Sequence, residues 1–417
     1  MPTVSRDILE AGMVLAEDVL NPRGQILIPT GTAIEARHLR GLAAWGVKNV
    51  VITPSTAPES VPAEEEASRL SPEEAAAFVD TFFVLNEEKR DHPFIQALRS
   101  IALERVSKRG LSPAVQKRIE SVPAPDDLVL DKKPEISVDD LVDMTSSIAT
   151  LPNIYFELQN VMNQPTSAAA DMAAAIRNDP GLTARLLRIV NSAYYSFPSK
   201  IETVPRAITI VGTDELTSLV TATSVLKSFG AGLDDLIDMN LFWRHSISCG
   251  VVARIMGGKR QEQNVERFFV MGLLHDIGKV LMFNHIPKAA KAALNRARFE
   301  KVPLYQVESE MLGFNHAAVG AALARSWRLA AGQQEAVAYH HRPSFAMRYP
   351  MEAALTHVAD ILAQILCIGQ CPNSIVPPLE AEAFDRLAVD LTLVPKILEE
   401  ADAQIGELLD IFFTEQS

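Results

Sequence analysis

Residues 272–279 read Gly-Leu-Leu-His-Asp-Ile-Gly-Lys and place an imidazole directly beside a carboxylate. Neighbouring side chains on a regular helix project about 100° apart, so two adjacent residues seldom reach one ligand. Gly272 and Gly278 bracket the pair, and glycine permits a helix to loosen between them. An imidazole nitrogen together with a carboxylate oxygen suits iron, manganese or zinc. The stretch therefore predicts a metal site at a break in a helix.

Two side chains of this stretch extend the prediction. Asp276 has two carboxylate oxygens and could bridge two metal ions about 3.5–4 Å apart. Lys279 follows one turn later, where its ammonium group could face a phosphate beside the metal. Histidines also crowd around the stretch, because seven of the nine in the chain fall within about a quarter of its length: His245, His275, His285, His316, His340, His341 and His357.

The chain on both sides of the stretch has the hydrophobic spacing of amphipathic helices. From residue 138 onward, helix signals continue with hardly any alternating strand pattern. The same spacing occurs upstream in Ala75, Phe78, Val79, Phe82 and Phe83, and again in Phe94, Ile95, Leu98 and Ile101. We therefore predict a mainly α fold with a multi-helix body.

The first 53 residues differ from this body and predict a small β-rich module. Short apolar runs surround Asn21-Pro22-Arg23-Gly24, which fits a type I turn because proline presets φ at the second position. A short helix over 35–44 and a strand over 47–52 complete the predicted module.

Two segments rich in proline and charge divide the rest of the chain and are interpreted as linkers. The predicted organisation is an N-terminal module at 1–53, a linker at 54–72, a helical connector at 73–120, a second linker at 121–137, the histidine-bearing domain at 138–365 and a C-terminal helical extension at 366–417.

Composition restricts the class of protein. The 417 residues contain 39 basic and 52 acidic side chains, giving a formal net charge of −13. Sequence-independent DNA binding depends on Lys and Arg, so nucleic acid is not the expected partner. Three cysteines are too few for a disulfide framework, the first twenty residues have no apolar signal-peptide run, and no membrane span is predicted. We expect a cytoplasmic protein.

The order of the histidines and aspartates resembles the metal-ligand series of the HD superfamily of phosphohydrolases. Over roughly 140–365 the chain resembles, more specifically, the bacterial HDOD domain family. The residues that carry this resemblance are Asp179 to Leu187, Asn191-Ser192-Ala193, Ala207-Ile208 before Val211-Gly212, Phe242 to His245, Gly313 to His316 with Val319-Gly320, and Trp327. The opening module, with Gly12-Met13 and Gly31-Thr32, is similar to one that precedes some HDOD and HD-GYP proteins.

The resemblance implies a site with one or two divalent ions, expected to be Fe, Mn or Zn. It implies that one ion is held by His245, His275, Asp276 and Asp360, and that Asp276 bridges to a second ion held by His316 and His340. His341 would be a further ligand or a hydrogen-bond partner of the ligands. Asp276 and Lys279 would be the catalytic residues if the site acts on a phosphoester. His285 and His357 fall outside the series and are interpreted as ordinary core or surface histidines.

The chain departs from the cyclic di-GMP phosphodiesterase branch, HD-GYP. The stretch 342–350 ends in Tyr-Pro but lacks the aspartate and glycines of that branch, and Leu241 stands where the branch can offer a further carboxylate. We therefore expect a signal-transduction protein with a retained metal site and little or no turnover. The alternative is a metal-dependent phosphohydrolase or phosphodiesterase acting on a nucleotide or cyclic nucleotide. The expected partners are a signalling protein or a small nucleotide ligand, with a homodimer as a further expectation.

Overall fold

The computed structural model divides the chain into two compact units, residues 1–67 and residues 68–417. It describes residues 3–5, 14–20, 26–32, 34, 49–51, 70–113, 115–116, 130, 133–146, 153–162, 169–229, 238–370 and 375–413. All the α-helices of these described ranges lie in the second unit. The prediction of a mainly α fold is therefore confirmed.

The described part of the first unit contains four short strands in two antiparallel pairs. Strand β1 (Thr3–Ser5) pairs with β4 (Asn49–Val51), and β2 (Val19–Leu20) pairs with β3 (Ile26–Ile28). The predicted turn at 21–24 and the predicted helix over 35–44 lie outside the described residues. The β-rich module as a separate domain stays a prediction, as do the predicted linker boundaries.

The second unit opens with the helical connector, α1 (Pro72–Phe82) and α2 (Pro93–Arg109). Ser71 caps α1 in a reciprocal capping box with Glu74, and a proline occupies the first turn of each helix, where its missing N–H costs nothing. The remaining helices are α3 (Val138–Ser146), α4 (Asn153–Met162), α5 (Ala169–Arg177), α6 (Pro180–Val190), α7 (Val204–Val211), α8 (Thr213–Phe229), α9 (Met239–Lys259), α10 (Glu266–Leu274), α11 (Ile277–His285), α12 (Pro287–Glu300), α13 (Leu304–Leu312), α14 (His316–Ser326), α15 (Ala331–Tyr339), α16 (Pro350–Cys367), α17 (Ala381–Leu387) and α18 (Val394–Phe413).

Helix α9 is the centre of the body and packs against α10, α16 and α18. Its contact with α10 is made by backbone, because a Cβ on Gly272 would lie 2.5 Å from the Gly250 nitrogen. Helices α11 and α14 approach each other in the same way, since a Cβ on Gly278 would lie 1.9 Å from the His316 carbonyl oxygen. These two glycine contacts bring the histidine-bearing helices within reach of one another.

A buried polar network joins the end of α6 to α9 and α10. The Tyr194 hydroxyl donates to Glu266 Oε2 at 2.5 Å, and Arg254 Nε donates to Glu266 Oε1 at 2.6 Å. The Arg254 guanidinium also lies over the Tyr194 ring, 4.0 Å from its centroid. The charges of Arg254 and Glu266 compensate each other, which makes their burial tolerable. No helix of the described residues is long and apolar enough to cross a membrane.

Candidate metal centre

The pair His275-Asp276 stands at a break between two helices. Helix α10 ends at Leu274 and α11 begins at Ile277, so the two side chains are released from the 100° separation of a continuous helix. The break was predicted, but the reason given for it needs correction. Gly272 and Gly278 lie inside their helices, and their small size serves the close approach of α9 and α14.

Three predicted ligands form the first donor group, namely His245, His275 and Asp360, with donor atoms within 4.8 Å of one another. His245 Nε2 lies 3.3 Å from His275 Nε2 and 3.2 Å from Asp360 Oδ1. Their helices α9 and α16 pack side by side, which explains how residues far apart in sequence meet.

A second donor group consists of Asp276, His316, His340 and His341, again within 4.8 Å of one another. His316 Nε2 lies 3.3 Å from Asp276 Oδ1 and 2.7 Å from His341 Nε2. His340 Nε2 lies 3.6 Å from the same aspartate oxygen.

Asp276 lies between the two groups. Its Oδ2 is 3.3 Å from His275 Nε2, and its Oδ1 is 3.3 Å from His316 Nε2. Each oxygen thus faces one group, as a carboxylate that bridges two metal ions must.

Hydrogen bonds fix the orientation of three of the histidines. The Nδ1 atoms of His275 and His340 lie 2.7 and 2.8 Å from the carbonyl oxygens of Gly272 and Val337. Because a carbonyl only accepts, both rings carry the proton on Nδ1, which leaves Nε2 free as a metal donor. His316 Nδ1 is held in the same way, 2.5 Å from Glu308 Oε2.

Glu308 was not predicted from the sequence. The residue is 2% exposed, and its carboxylate also accepts the backbone N–H of His316 at 3.0 Å. A signal for it was present, because Val307 and Leu312 form the buried stripe of α13 and Glu308 stands in that stripe. A carboxylate on an apolar helix face requires a buried partner.

The donor set fits a metal ion. Among the described residues, the buried atoms Asp276 Oδ1, His340 Nε2 and Asp360 Oδ1 have no hydrogen-bond partner. Buried polar atoms are rarely left unpaired, and these three belong to the two donor groups. Imidazole nitrogens with carboxylate oxygens are donors for a divalent transition metal ion or zinc.

The two carboxylates of the site are held in their ionised form. Burial acts to raise the pKa of Asp276, but His275 and Lys279 outweigh it and hold that pKa well below its usual range. The pKa of Asp360 is likewise lowered against burial, mainly by the His245 imidazole, whose Nε2 lies 3.2 Å from Asp360 Oδ1. Two ionised carboxylates therefore face the site. Burial lowers the pKa of His340 to about 4, which keeps that imidazole neutral, the form that binds metal.

Lys279 lies beside the cluster, and its Nζ donates to Asp276 Oδ2 at 2.5 Å. Burial acts to lower the pKa of the lysine, but the charge of Asp276 outweighs burial and raises it. The ammonium group therefore stays charged and adds a positive neighbour to any anion bound there.

Of the seven histidines between residues 245 and 357, the remaining two stand outside both donor groups. His357 is buried, with Nδ1 2.7 Å from the His340 carbonyl oxygen and Nε2 accepting from the Glu380 N–H at 3.0 Å. It is a core histidine that connects the backbone of His340 to residue 380. His285 is partly exposed at the end of α11.

A cavity of about 310 Å³ opens beside the cluster. Members of both donor groups and Lys279 contribute to its lining, namely His245, Asp276, Lys279, His316, His341 and Asp360. Tyr305 lines it as well, and its ring stacks on His341 with centroids 4.5 Å apart.

Comparison with known proteins agrees with this architecture. Residues 148–343 match the protein family described as HDOD domain. An HDOD domain protein of unknown function from Geobacter sulfurreducens has a similar structure (TM-score 0.53, 23% identity, covering 66% of this chain and 97% of that one). A protein provisionally named a phosphohydrolase, from Shewanella amazonensis SB2B, is also similar (TM-score 0.52, 24% identity, 65% and 97%). At these identities the two structures show the fold.

An uncharacterized protein of Treponema pallidum (strain Nichols) is 26% identical over 207 residues, which span 48% of this chain and 39% of that protein. Residues 148–343 of the second unit thus resemble the HDOD domain family, and the second unit shares its fold with the two solved structures.

Proposed function

We propose that the chain is an HDOD-type signal-transduction protein whose His/Asp site holds two divalent metal ions and binds a phosphate-bearing small molecule, with little or no turnover. The observation that carries the proposal is the convergence of seven predicted donors into two groups that share Asp276 between them.

The residues of such a site would have the following roles. His245, His275 and Asp360 would hold one ion, and His316, His340 and His341 the other, with Asp276 shared. Bound metal ions attract phosphate oxygens and lower the pKa of coordinated water. Lys279 would contribute a fixed positive charge 2.5 Å from Asp276.

Low turnover is proposed from the sequence that follows the ligand pair. Residues 342–350 lack the aspartate and the glycines that accompany hydrolysis of cyclic di-GMP in the related branch. The proposal thus assigns to the site the binding of a ligand as a signal. The proposed signalling partner is another protein.

Metal analysis of the purified full chain tests this proposal. We expect about two equivalents of Fe, Mn or Zn in the wild type and a loss of metal in Asp276→Ala, because that variant removes the shared carboxylate. His285→Ala, a histidine outside both groups, is the control and should retain its metal. Protein that binds no metal after reconstitution with each of the three ions would contradict the proposal.

The second candidate is a metal-dependent phosphohydrolase or phosphodiesterase acting on a nucleotide or cyclic nucleotide. It is favoured by the complete donor set together with Lys279 at the wall of an open cavity. Turnover of nucleotides by the metal-loaded wild type, abolished in Asp276→Ala, would establish this candidate over the first.

A further inference from the structure

We propose that the cavity beside the metal cluster takes a compact phosphate ester or phosphonate that carries an apolar, preferably flat, group. This rests on the proposed function, since the metal ions and Lys279 would hold the phosphate. The new element is the other part of the cavity, which would select the remainder of the ligand by its apolar character.

The cavity wall away from the donor groups is built mainly from hydrocarbon. Helices α9, α11 and α12 contribute Leu241, Phe242, Phe283, Leu294 and Ala297. The segment before α13 contributes Val302, and α13 contributes its first residue, Leu304. The connector adds Leu85, and the segment before α17 adds Ile375, Pro377 and Pro378. Burying a ligand's apolar surface against such a wall stabilises binding by about 25 cal/mol per Å².

This wall is held in place by hydrogen bonds between residues that lie nearly 300 positions apart in the sequence. The buried Asn86 side chain donates to the carbonyl oxygens of Val376 and Pro377 at 3.1 and 2.9 Å, and accepts the Leu379 N–H at 2.8 Å. The Val376 N–H donates in turn to the Phe82 carbonyl at 2.9 Å. The connector and the 375–379 segment therefore form one fixed surface that faces the cavity.

The polar groups available to the non-phosphate part of a ligand are few. Outside the metal donors and Lys279, the described lining residues that carry polar side chains are Asp238, Arg298, Tyr305 and Gln364. One carboxylate oxygen of Asp238 is already engaged, because it caps α9 by accepting the Leu241 N–H at 3.1 Å. A ribose and a base would need several partners for their donors and acceptors, and burying them without partners is unfavourable.

Size and shape agree with a small, flat group. A volume of about 310 Å³ is near the lower end of the range for ligand pockets. The Tyr305 ring, stacked on His341 at an interplanar angle of 17°, places an aromatic surface next to the metal donors. Offset and edge contacts between aromatic rings favour a flat group at this position.

Binding of a matched pair of phosphonates to the metal-loaded full chain tests the inference. Methylphosphonate and phenylphosphonate share the same anionic head, and their C–P bond resists hydrolysis, so that binding is measured whether or not the site has turnover. We expect phenylphosphonate to bind at least about tenfold tighter by calorimetry, because the ring adds buried apolar area. A phosphonate analogue of AMP should bind more weakly than phenylphosphonate.

Two variants at one wall position make the test specific. Leu85→Asn should reduce the preference for phenylphosphonate severalfold and leave methylphosphonate binding and metal content unchanged. Leu85→Met conserves volume and apolar character and should keep the preference. Equal affinities of the two phosphonates in the wild type, or tighter binding of the AMP analogue, would overturn the inference while the proposed function stands. Failure of metal-loaded protein to bind either phosphonate would overturn both.

Discussion

Glu308 controls the orientation of a metal donor through one hydrogen bond, the contact of 2.5 Å between its carboxylate and His316 Nδ1. A carboxylate in this position fixes the tautomer of the ring and makes Nε2 a better donor. We predict that Glu308→Gln lowers metal affinity about tenfold to 100-fold while the protein remains folded. Titration of the metal-free protein with zinc checks this.

The matched control is Glu310→Gln on the same helix. Glu310 is exposed and pairs with Arg296, so its neutralisation should leave metal affinity unchanged. Equal effects of the two substitutions would show that Glu308 acts through general charge and has no role in orienting His316.

Tyr194 makes the free energy of unfolding depend on pH in the alkaline range. Burial, followed by the charge of Glu266, raises the pKa of Tyr194 well above its usual range. In the unfolded chain a tyrosine ionises near pH 10, so above about pH 10 the unfolded state loses a proton that the folded state keeps. The free energy of unfolding should then fall by about 1.4 kcal/mol per pH unit for this residue.

Urea denaturation between pH 9.5 and 11.5 measures that slope. Tyr194→Phe removes the ionisable group and should give a shallower slope by the same amount, although it is less stable at neutral pH because Glu266 loses a donor. An unchanged slope in Tyr194→Phe would contradict the prediction.

At the scale of single residues, the sequence indicated the candidate donors but not the residues that support them. His245, His275, Asp276, His316, His340, His341 and Asp360 could be proposed because metal donors belong to few residue types and follow a recognisable order. Glu308 and Asn86 could not, because each acts through a partner whose position depends on how the helices pack.

Helices α11 and α14 cross at two glycines, and this crossing positions His316 relative to Asp276. A Cβ on Gly278 would lie 1.9 Å from the His316 carbonyl oxygen and 2.7 Å from the Gly320 nitrogen. Backbone cannot yield as a side chain can, so Gly278→Ala should push the helices apart. We predict a loss of stability of about 3 kcal/mol and a loss of bound metal, measured by denaturation and elemental analysis.

Gly406→Ala is the control for this prediction. Gly406 lies inside α18, and a Cβ there would meet nothing within 4 Å. The substitution should stabilise the protein by about 0.5–1 kcal/mol, because alanine is the better helix former. Similar stability changes in the two variants would contradict the role assigned to the crossing.

Asn86 joins the connector to the cavity wall. Removing its side chain should lower both the stability of the protein and its affinity for the ligand. Asn86→Ala leaves the Val376 and Pro377 carbonyls and the Leu379 N–H without their partner. We predict a loss of about 2–3 kcal/mol in stability, weaker ligand binding and unchanged metal content. Asn86→Ala protein that binds phenylphosphonate as the wild type does would show that the wall does not depend on this residue.

At the scale of the whole molecule, metal and folding are linked. The donors come from α9, α14, α16 and the turns that follow α10 and α15, so the complete site exists only in the folded second unit. At a free metal concentration 100-fold above Kd, binding should stabilise the fold by about 2.7 kcal/mol.

Thermal melts with zinc and with a chelator check this linkage. The stabilisation corresponds to an increase in Tm of about 4 °C for a unit of this size. Asp276→Ala should melt at the same temperature with and without zinc. A wild-type protein whose Tm does not respond to metal would contradict the linkage.

The helical class of the molecule followed from hydrophobic spacing, which is a local property of the sequence. The contact between the connector and the segment before α17 could not be predicted in this way, because the residues it joins are 290 positions apart in the sequence. Asn86 also resembles any polar residue near a helix end. Periodicity predicts which residues are buried, and long-range packing decides which surfaces they are buried against.

The limits of the matched family segment have a practical consequence for anyone who expresses fragments of this protein. A fragment cut at residues 148 and 343 would keep six of the seven donors but lose Asp360, which lies on α16. It would also lose Leu85 and the 375–378 segment from the cavity lining. Such a fragment could test negative for metal and ligand for reasons of boundary alone, so an inactive fragment would say nothing about the intact chain.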